Sequence, residues 1–494
     1  MNTMDLYALN HIPEHMAYCY SRETIYQMDK LLIEEHQLPL MERAGRYAAY
    51  CIRQHFPDIK KIAVFAGSGN NGGDAWICAR HLQLFGIEVH CFYTSVPKTP
   101  MAKAAYEEYL KTAHHPSTWI EASLPELDGF DLIVDGLLGI GINQPLRGEI
   151  QTLINYVNSI DTPVFSLDIP SGLNSETGLP QPVAIMADHT LVFLGLKTGL
   201  LTSQGRNFSG AIEFSSLHVP EKLYDEQPKL AKLAIQLPDI SRPMDSHKGL
   251  FGEIHIIGGT QSMAGAVLLC GQAAQRTGAG LVRILTHPSH VNQLTSALPE
   301  AIFHEADAML PNSPDVKVIG PGLGEDAWGE ALFHQHIQTA NVVDASALNW
   351  LAKYPQRSEH WILTPHPKEA ARLLNCEVDE IQSDRIEAAK ALAKQYGGWV
   401  ILKGSGTIIS NATDAYLCPY GNPAMASAGM GDVLCGVVAS LLSSYQDLER
   451  AATQAVSLHA HTADQLMEQY GWGLQASDVA KKIRINVAGF HRIG

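Results

Sequence analysis

Two aspartates close apolar runs in this chain. Asp135 follows Leu132-Ile133-Val134 and Asp168 follows Val164-Phe165-Ser166-Leu167, with turn-forming Gly, Pro and Ser close behind. A carboxylate delivered at the end of a buried strand can exchange a proton with a ligand in the crevice beyond the sheet. Asp432 stands in another setting, within Gly429-Met430-Gly431-Asp432 at the head of an apolar run. A helix opening there aims backbone N–H groups and its dipole at an anion, with a carboxylate beside them to take a proton from an attacking hydroxyl. Lys403 lies between Val400-Ile401-Leu402 and Gly404-Ser405-Gly406-Thr407, where it would act as a point charge on phosphate. The run Gly67-x-Gly69-x-x-Gly72 has dinucleotide-loop spacing. The following strand, however, ends Phe92-Tyr93-Thr94 and lacks the acid that would hold a ribose, so anion binding fits and the usual NAD mode does not. Any single cluster reads equally well as a turn with a helix cap.

The order of elements is what would gather such clusters. Helical spacing marks Arg22 to His36 and Leu40 to Phe56. Strand-like runs follow at Lys61–Ala66, Glu88–Tyr93, Leu132–Asp135, Val164–Asp168 and Thr190–Leu194, with helical stretches between them. A Pro-rich, charged segment at 220–246 reads as a linker or wrapping segment. A second series comprises Glu253–Ile257, Leu281–Thr286, Val316–Ile319, Asn341–Val343, Trp361–Leu363 and Trp399–Leu402, then helices at Gly431–Leu442 and Leu448–Glu468. Alternation of this kind predicts two α/β domains with parallel sheets, joined near residue 230. Carboxyl ends of parallel strands share one edge, so the polar clusters of each half should line one crevice.

Composition narrows the function classes. The chain has 494 residues, 46% hydrophobic and 17% charged, enough apolar material for more than one core. Its 35 Lys and Arg against 51 Asp and Glu give a net charge of -16, with no basic stripe to attract a nucleic acid. An anionic ligand must therefore be held locally. Eight scattered cysteines without a Cys-x-x-Cys pair suit buried thiols in a reducing compartment. The first 21 residues contain no Lys or Arg, unlike a leader, and the apolar runs are too short to span a bilayer, so a cytoplasmic protein is expected. His459 and His461 sit two apart on a predicted helix and face different ways, which favours packing over metal ligation.

Leu40-Met41-Glu42-Arg43-Ala44-Gly45, Asn70-Asn71-Gly72-Gly73-Asp74, Asp135-x-x-x-Gly139-x-Gly141 and Asp168-Ile169-Pro170-Ser171-Gly172 together resemble the NAD(P)HX epimerase domain, over about residues 20 to 220. The resemblance implies a Rossmann-like three-layer domain over 1–225 that takes hydrated NADH or NADPH (NADHX, NADPHX) and inverts C6 of the reduced ring. It implies substrate contacts at Asn70, Asn71, Gly72, Gly73, Asp74, Gly139, Ile140, Gly141, Ile142, Asn143, Gln144, Pro145 and Asp168, with Asp168 as acid/base. It also implies K⁺ near Asn71, Asp135 and Ser171, whose oxygen donors suit a hard cation.

In the second half Gly258-Gly259-Thr260, Gly320-Pro321-Gly322-Leu323-Gly324, Asp344-Ala345-Ser346-Ala347-Leu348-Asn349, Thr364-Pro365-His366-Pro367-Lys368-Glu369, Lys403-Gly404-Ser405-Gly406-Thr407 and Asn422-Pro423-Ala424-Met425-Ala426 before Gly431-Asp432 resemble the ADP-dependent NAD(P)HX dehydratase domain. That resemblance covers about 240 to 490 and implies a ribokinase-like α/β domain over 226–494. Nucleotide then falls on Lys403, Gly404, Ser405, Gly406, Thr407 and Gly431, with Mg²⁺ accompanying ADP. Hydrated NAD(P)H falls near Ala266, Gly322, His366 and Asp432, with Asp432 catalytic. Ser346, Lys368 and Met430 depart from the pattern, standing where Asp, Gly and Thr are usual. With both halves in this order the chain resembles the two-domain NAD(P)H-hydrate repair family. Small molecules are its expected partners, without nucleic acid or membrane, and a homo-oligomer is expected. The rival reading is a ribokinase-like vitamin-precursor kinase fused to a non-catalytic NAD-binding module.

Overall fold

Near-continuous apolar strands stay buried only when helices cover both faces of their sheet, and each half of the chain supplies both. The computed structural model describes residues 17–93, 95–112, 117–118, 126–142, 145–240, 244–306, 308 and 314–487. The chain divides into two compact units at 232/233.

The first unit contains β1 (Tyr18–Cys19), β2 (Lys61–Ala66), β3 (Glu88–Tyr93), β4 (Ser117–Thr118), β5 (Leu132–Gly136), β6 (Val164–Leu167), β7 (His189–Phe193) and β8 (Ala211–Ser215). Seven of these run in the order β4-β3-β2-β5-β6-β7-β8, every neighbouring pair parallel. Connections leave in opposite directions at β2 and β5, so the ligand crevice of such a sheet opens beyond Ala66 and Gly136. β1 pairs antiparallel with β9 (Ala231–Leu233), Tyr18 opposite Lys232.

Strand alternation sorts the core. Ile62, Val64 and Ala66 join a buried cluster with helices Arg22–Glu34, Leu40–His55 and Asn70–Leu84, while Ala63 and Phe65 join another with helix Glu149–Val157. The first of these helices starts where Ser21 accepts from the Thr24 amide at 3.1 Å. Helix Asn70–Leu84 starts at Gly69 with no side-chain cap.

The second unit holds β10 (Glu253–Ile257), β11 (Leu281–Thr286), β12 (Ile302–Glu305), β13 (Val316–Ile319), β14 (Val342–Val343), β15 (Ile362–Leu363), β16 (Trp399–Leu402), β17 (Ile408–Ser410) and β18 (Ala415–Leu417). They run β18-β17-β16-β15-β14-β13-β10-β11-β12, parallel from β16 to β12 and antiparallel through β16, β17 and β18. Here the crevice opens between β10 and β13. Helix Met430–Tyr445 is buried on nearly every side and packs on helix Ala264–Thr277. Gly436 permits the close approach, since a Cβ there would lie 2.2 Å from the Cys270 carbonyl oxygen.

Strands and helices expected from the sequence are present with shifts of up to three residues at their ends. One shift matters for chemistry. The strand expected to include Asp168 stops at Leu167, and Asp168 takes φ +67, a left-handed conformation that favours Gly. Strands β1, β4, β8, β9, β12, β17 and β18 were not expected. All eight cysteines are free, seven of them buried. Among the described residues, no helix is long and apolar enough to cross a membrane.

Candidate active sites

At the carboxyl edge of the first sheet, chain reversals are tight enough to demand Gly. A Cβ on Gly72 would lie 1.9 Å from the Gly67 carbonyl oxygen, so the loop folds directly onto the first turn of helix Asn70–Leu84. Around it a polar network joins three strand ends. Asp135 accepts at Oδ1 from the Ser171 hydroxyl (2.5 Å) and the Leu137 amide (3.2 Å), and at Oδ2 from the Ser171 amide (2.8 Å) and the Ser166 hydroxyl (2.9 Å). The Leu138 amide donates to Ser171 Oγ at 2.8 Å, and Asn71 Nδ2 donates to the Leu138 carbonyl at 3.0 Å. Asn71 Oδ1 is buried and has no hydrogen-bond partner among the described residues.

Asp168 is gripped from the next strand. The buried Lys197 ammonium donates to its Oδ1, and the Phe193 amide does so at 3.1 Å. Lys197 also donates to the Phe193 carbonyl at 2.9 Å. Burial lowers the pKa of Lys197, and the charge of Asp168 only partly restores it. Two further carboxyls feel Asp168. Burial first, and its charge second, push Asp29 up to about 6 and Asp74 well above the ordinary range, Lys197 opposing the latter. The site therefore gathers carboxyls whose proton affinity is raised beside one buried ammonium, a setting suited to proton transfer.

In the second unit four consecutive strand ends meet at Asp344. It follows β14, is 2% exposed, and its Oδ1 accepts from Thr364 (2.6 Å), after β15, and from Lys403 (2.8 Å), after β16. From β13, Gly320 packs so closely that a Cβ would lie 1.8 Å from the Asp344 carbonyl oxygen. Burial would raise Asp344, but the Lys403 ammonium and these hydrogen bonds outweigh it and hold the carboxyl below its usual value. Helix Met430–Tyr445 begins at Gly429 (φ +90) without a side-chain cap, and a Cβ on Gly431 would lie 3.3 Å from Lys403 Nζ and 3.8 Å from Asp344 Oδ2. Asp432 is thus set beside an ion pair. Burial and the charge of Asp344 raise it to about 7, against the pull of Lys403.

The other predicted contacts fall around these centres. A Cβ on Gly139 would meet the Asn71 side chain at 3.3 Å, and one on Gly141 the Tyr26 hydroxyl at 2.8 Å. Ile140 packs against the first core, Ile142 is half-buried and Pro145 exposed, while Asn143 and Gln144 lie outside the described residues. Gly322 neighbours Ala266, at 3.1 Å from a Cβ built on the glycine. Thr407 donates to the Gly404 carbonyl at 3.1 Å, closing the turn that carries Ser405 and Gly406. His366 caps helix Pro367–Leu374: its Nδ1 accepts from the Lys368 and Glu369 amides, and its own amide donates to Glu369 Oε2 at 2.8 Å. Nε2 stands 3.3 Å from Glu369 Oε1 on a half-exposed ring.

Sequence reasoning missed Lys197, Asp29 and Arg385, and quoted Asp344 and Glu369 without giving them a role. Arg385 lies beneath the Lys403–Gly404 turn and donates to the Leu402 and Lys403 carbonyls at 3.1 and 3.2 Å. A cavity of about 280 Å³ between Arg43, Tyr47, Phe85 and Leu217 shares no residue with either constellation.

A family profile described as YjeF-related protein N-terminus matches residues 37–199, and one described as NAD(P)H-hydrate dehydratase matches residues 254–484. The chain is 40% identical over 457 residues to the bifunctional NAD(P)H-hydrate repair enzyme Nnr of Escherichia coli, covering 89% of this chain and 87% of that one. It is 35% identical over 487 residues to the enzyme of the same name from Coxiella burnetii, covering 96% and 100%. Among solved structures, the ADP/ATP-dependent NAD(P)H-hydrate dehydratase of Bacillus subtilis, co-crystallised with ATP and Mg²⁺, is 32% identical with a TM-score of 0.46, covering 51% of this chain and 93% of that one.

Proposed function

The chain belongs to the family of bifunctional NAD(P)H-hydrate repair enzymes, with an epimerase and a dehydratase domain, and from that premise we propose how its residues divide the work. The epimerase occupies 1–225 and the dehydratase 226–494. In the first, hydrated NAD(P)H lies over the Asn70–Asp74 turn and the Gly139–Pro145 loop. Asp168 exchanges the proton as the ring nitrogen expels or readmits the C6 hydroxyl, and Lys197 holds that carboxylate in place. In the second, Asp432 takes the proton of the C6 hydroxyl as that oxygen attacks the β-phosphoryl group of ADP. The new P–O bond forms as AMP departs. The ring nitrogen then expels phosphate, and loss of a C5 proton gives the dihydropyridine.

The observation that supports the second half best is the meeting of Asp344, Lys403 and Gly431 beside Asp432. Lys403 and the open helix N-terminus suit the transferring phosphoryl, with Mg²⁺ arriving on the nucleotide. Gly404–Thr407 take the rest of the nucleotide, and Ala266, Gly322 and His366 the nicotinamide half. His366 spends Nδ1 on its cap, so a contact to substrate would come from Nε2, which it would share with Glu369 Oε1. Incubating hydrated NADH with ADP or ATP and following the absorbance of the reduced ring tests this: Asp432→Ala should abolish recovery while still binding ADP. A vitamin-type kinase would instead leave a stable phosphorylated product.

K⁺ is proposed at Asn71, Asp135 and Ser171. The buried, unpartnered Asn71 Oδ1 supports it, and oxygen donors suit a hard cation. Asp135 already accepts four hydrogen bonds, so its contribution is charge rather than a spare lone pair. Bound there, the ion would help hold an anionic substrate against the net charge.

A further inference from the structure

A cluster in the first unit is used by neither reaction. His189 opens β7 and Glu213 lies in β8, where Leu191 is its partner. Alternation puts His189 and Leu191 on one face of the sheet, so His189 and Glu213 are diagonal neighbours within reach of each other. Helix Leu40–His55 ends on that face and brings His55. His55 Nε2 is 2.8 Å and His189 Nε2 3.5 Å from Glu213 Oε2, and the three ligating atoms all lie within 4.8 Å of one another.

The carboxylate is oriented for this. Its other oxygen, Oε1, accepts from the Tyr47 hydroxyl at 3.0 Å and the Cys51 thiol at 3.2 Å, leaving Oε2 to the two rings. His189 is only 8% exposed, stacks on Phe165 with centroids 5.0 Å apart, and its buried Nε2 has no hydrogen-bond partner among the described residues. Such a nitrogen, aimed at a fixed carboxylate, lacks an electrophile. His55 is 39% exposed along its side chain, which gives an ion a way in.

We infer that His55, His189 and Glu213 form a site for a divalent transition metal, zinc by preference. Metal–nitrogen bonds of about 2.0–2.1 Å put tetrahedral ligand atoms about 3.3 Å apart, close to the spacing found here. Two imidazoles and one carboxylate leave the fourth position to water. Tyr47 and Cys51 are the outer groups that hold the carboxylate. The ion would fasten the end of helix Leu40–His55 to β7 and β8, at the start of β7 rather than at its far end, which leads on to Lys197.

The test uses the full chain, stripped with chelator and titrated with Zn²⁺ and with Co²⁺ as a spectroscopic probe. Wild type should bind one equivalent, show a tetrahedral Co²⁺ spectrum and gain melting temperature. Glu213→Gln and His189→Gln should lose all three. His55→Gln, at a more exposed position, guards against misfolding of the buried variants and should lose the spectrum while keeping the metal-free melting temperature. Tyr47→Phe should weaken binding about 10- to 100-fold. Binding unchanged in these variants, or no saturable binding in wild type, would show the cluster to be a hydrogen-bonded hub only.

Discussion

The two carboxylates proposed as catalytic are held in opposite ways. In the first unit the proposed acid/base, Asp168, is itself gripped by the buried lysine, and its backbone sits at φ +67. In the second, Lys403 is taken by Asp344, and Asp432 is left beside the pair with its carboxyl raised to about 7. A direct partner fixes position. A bystander pair tunes proton affinity through burial and like charge. Inverting a carbon through its own ring nitrogen asks mainly for alignment, whereas starting a phosphoryl transfer asks for a base poised near neutral pH.

The sharpest way to break this contrast is to remove each carboxylate and read both reactions. Asp432→Ala should slow dehydration by about 10² to 10⁴ and leave exchange of the C6 epimers intact, and Asp168→Asn should do the reverse. If either variant slowed both reactions equally, the division would be wrong. Next comes Lys197→Met, which strands Asp168 and should cost the first unit about 3–5 kcal/mol in denaturant unfolding. Adding Asp168→Asn should return much of that stability without returning epimerisation.

A smaller effect is the pH profile. With Asp432 near 7 and active as the anion, kcat/KM for dehydration should fall roughly fivefold from pH 7 to pH 6. Glu369 is also raised to about 7, by burial first, so Glu369→Gln must keep that limb if Asp432 owns it. Stability gives the matching sign. A folded pKa above the unfolded 3.8 means the charged form is disfavoured by folding, a penalty absent at low pH that grows up to about pH 7. Asp432→Asn should therefore raise the melting temperature more at pH 8 than at pH 4. Smallest of all, Asn71→Ala should raise the K⁺ concentration needed for half-maximal epimerisation.

Parallel order and long strands were legible because Lys61–Ala66 or Leu281–Thr286 are nearly all apolar, a pattern buried sheets impose. β8 and β12 were not. Each lies at a sheet edge with its side chains mostly half-buried or exposed, so no apolar run marks them. β17 and β18 are three residues each, and the turn between them, where Asn411 Oδ1 accepts from the Thr413 and Asp414 amides, was the available signal. Asp168 and Asp432 stood out because a polar residue interrupts apolar sequence there. Lys197 interrupts Leu194-Gly195-Leu196 and Gly199-Leu200-Leu201 in the same way and was passed over. A lysine is ordinarily solvated, and nothing local announces that its partner lies 29 residues earlier. Asp344 was hidden for the converse reason: only its contacts with Thr364 and Lys403 distinguish it from any other aspartate in a turn.

Residues 231 and 232 come back to lie against Cys19 and Tyr18, in a strand that runs on to Leu233 across the boundary between the units. That sets a rule for cutting the gene into separately expressed halves. A fragment stopped at residue 225 would leave Tyr18 and Cys19 with bare amides and carbonyls, a sticky border that invites aggregation. One carried through Leu233 keeps the whole of β9 against that edge.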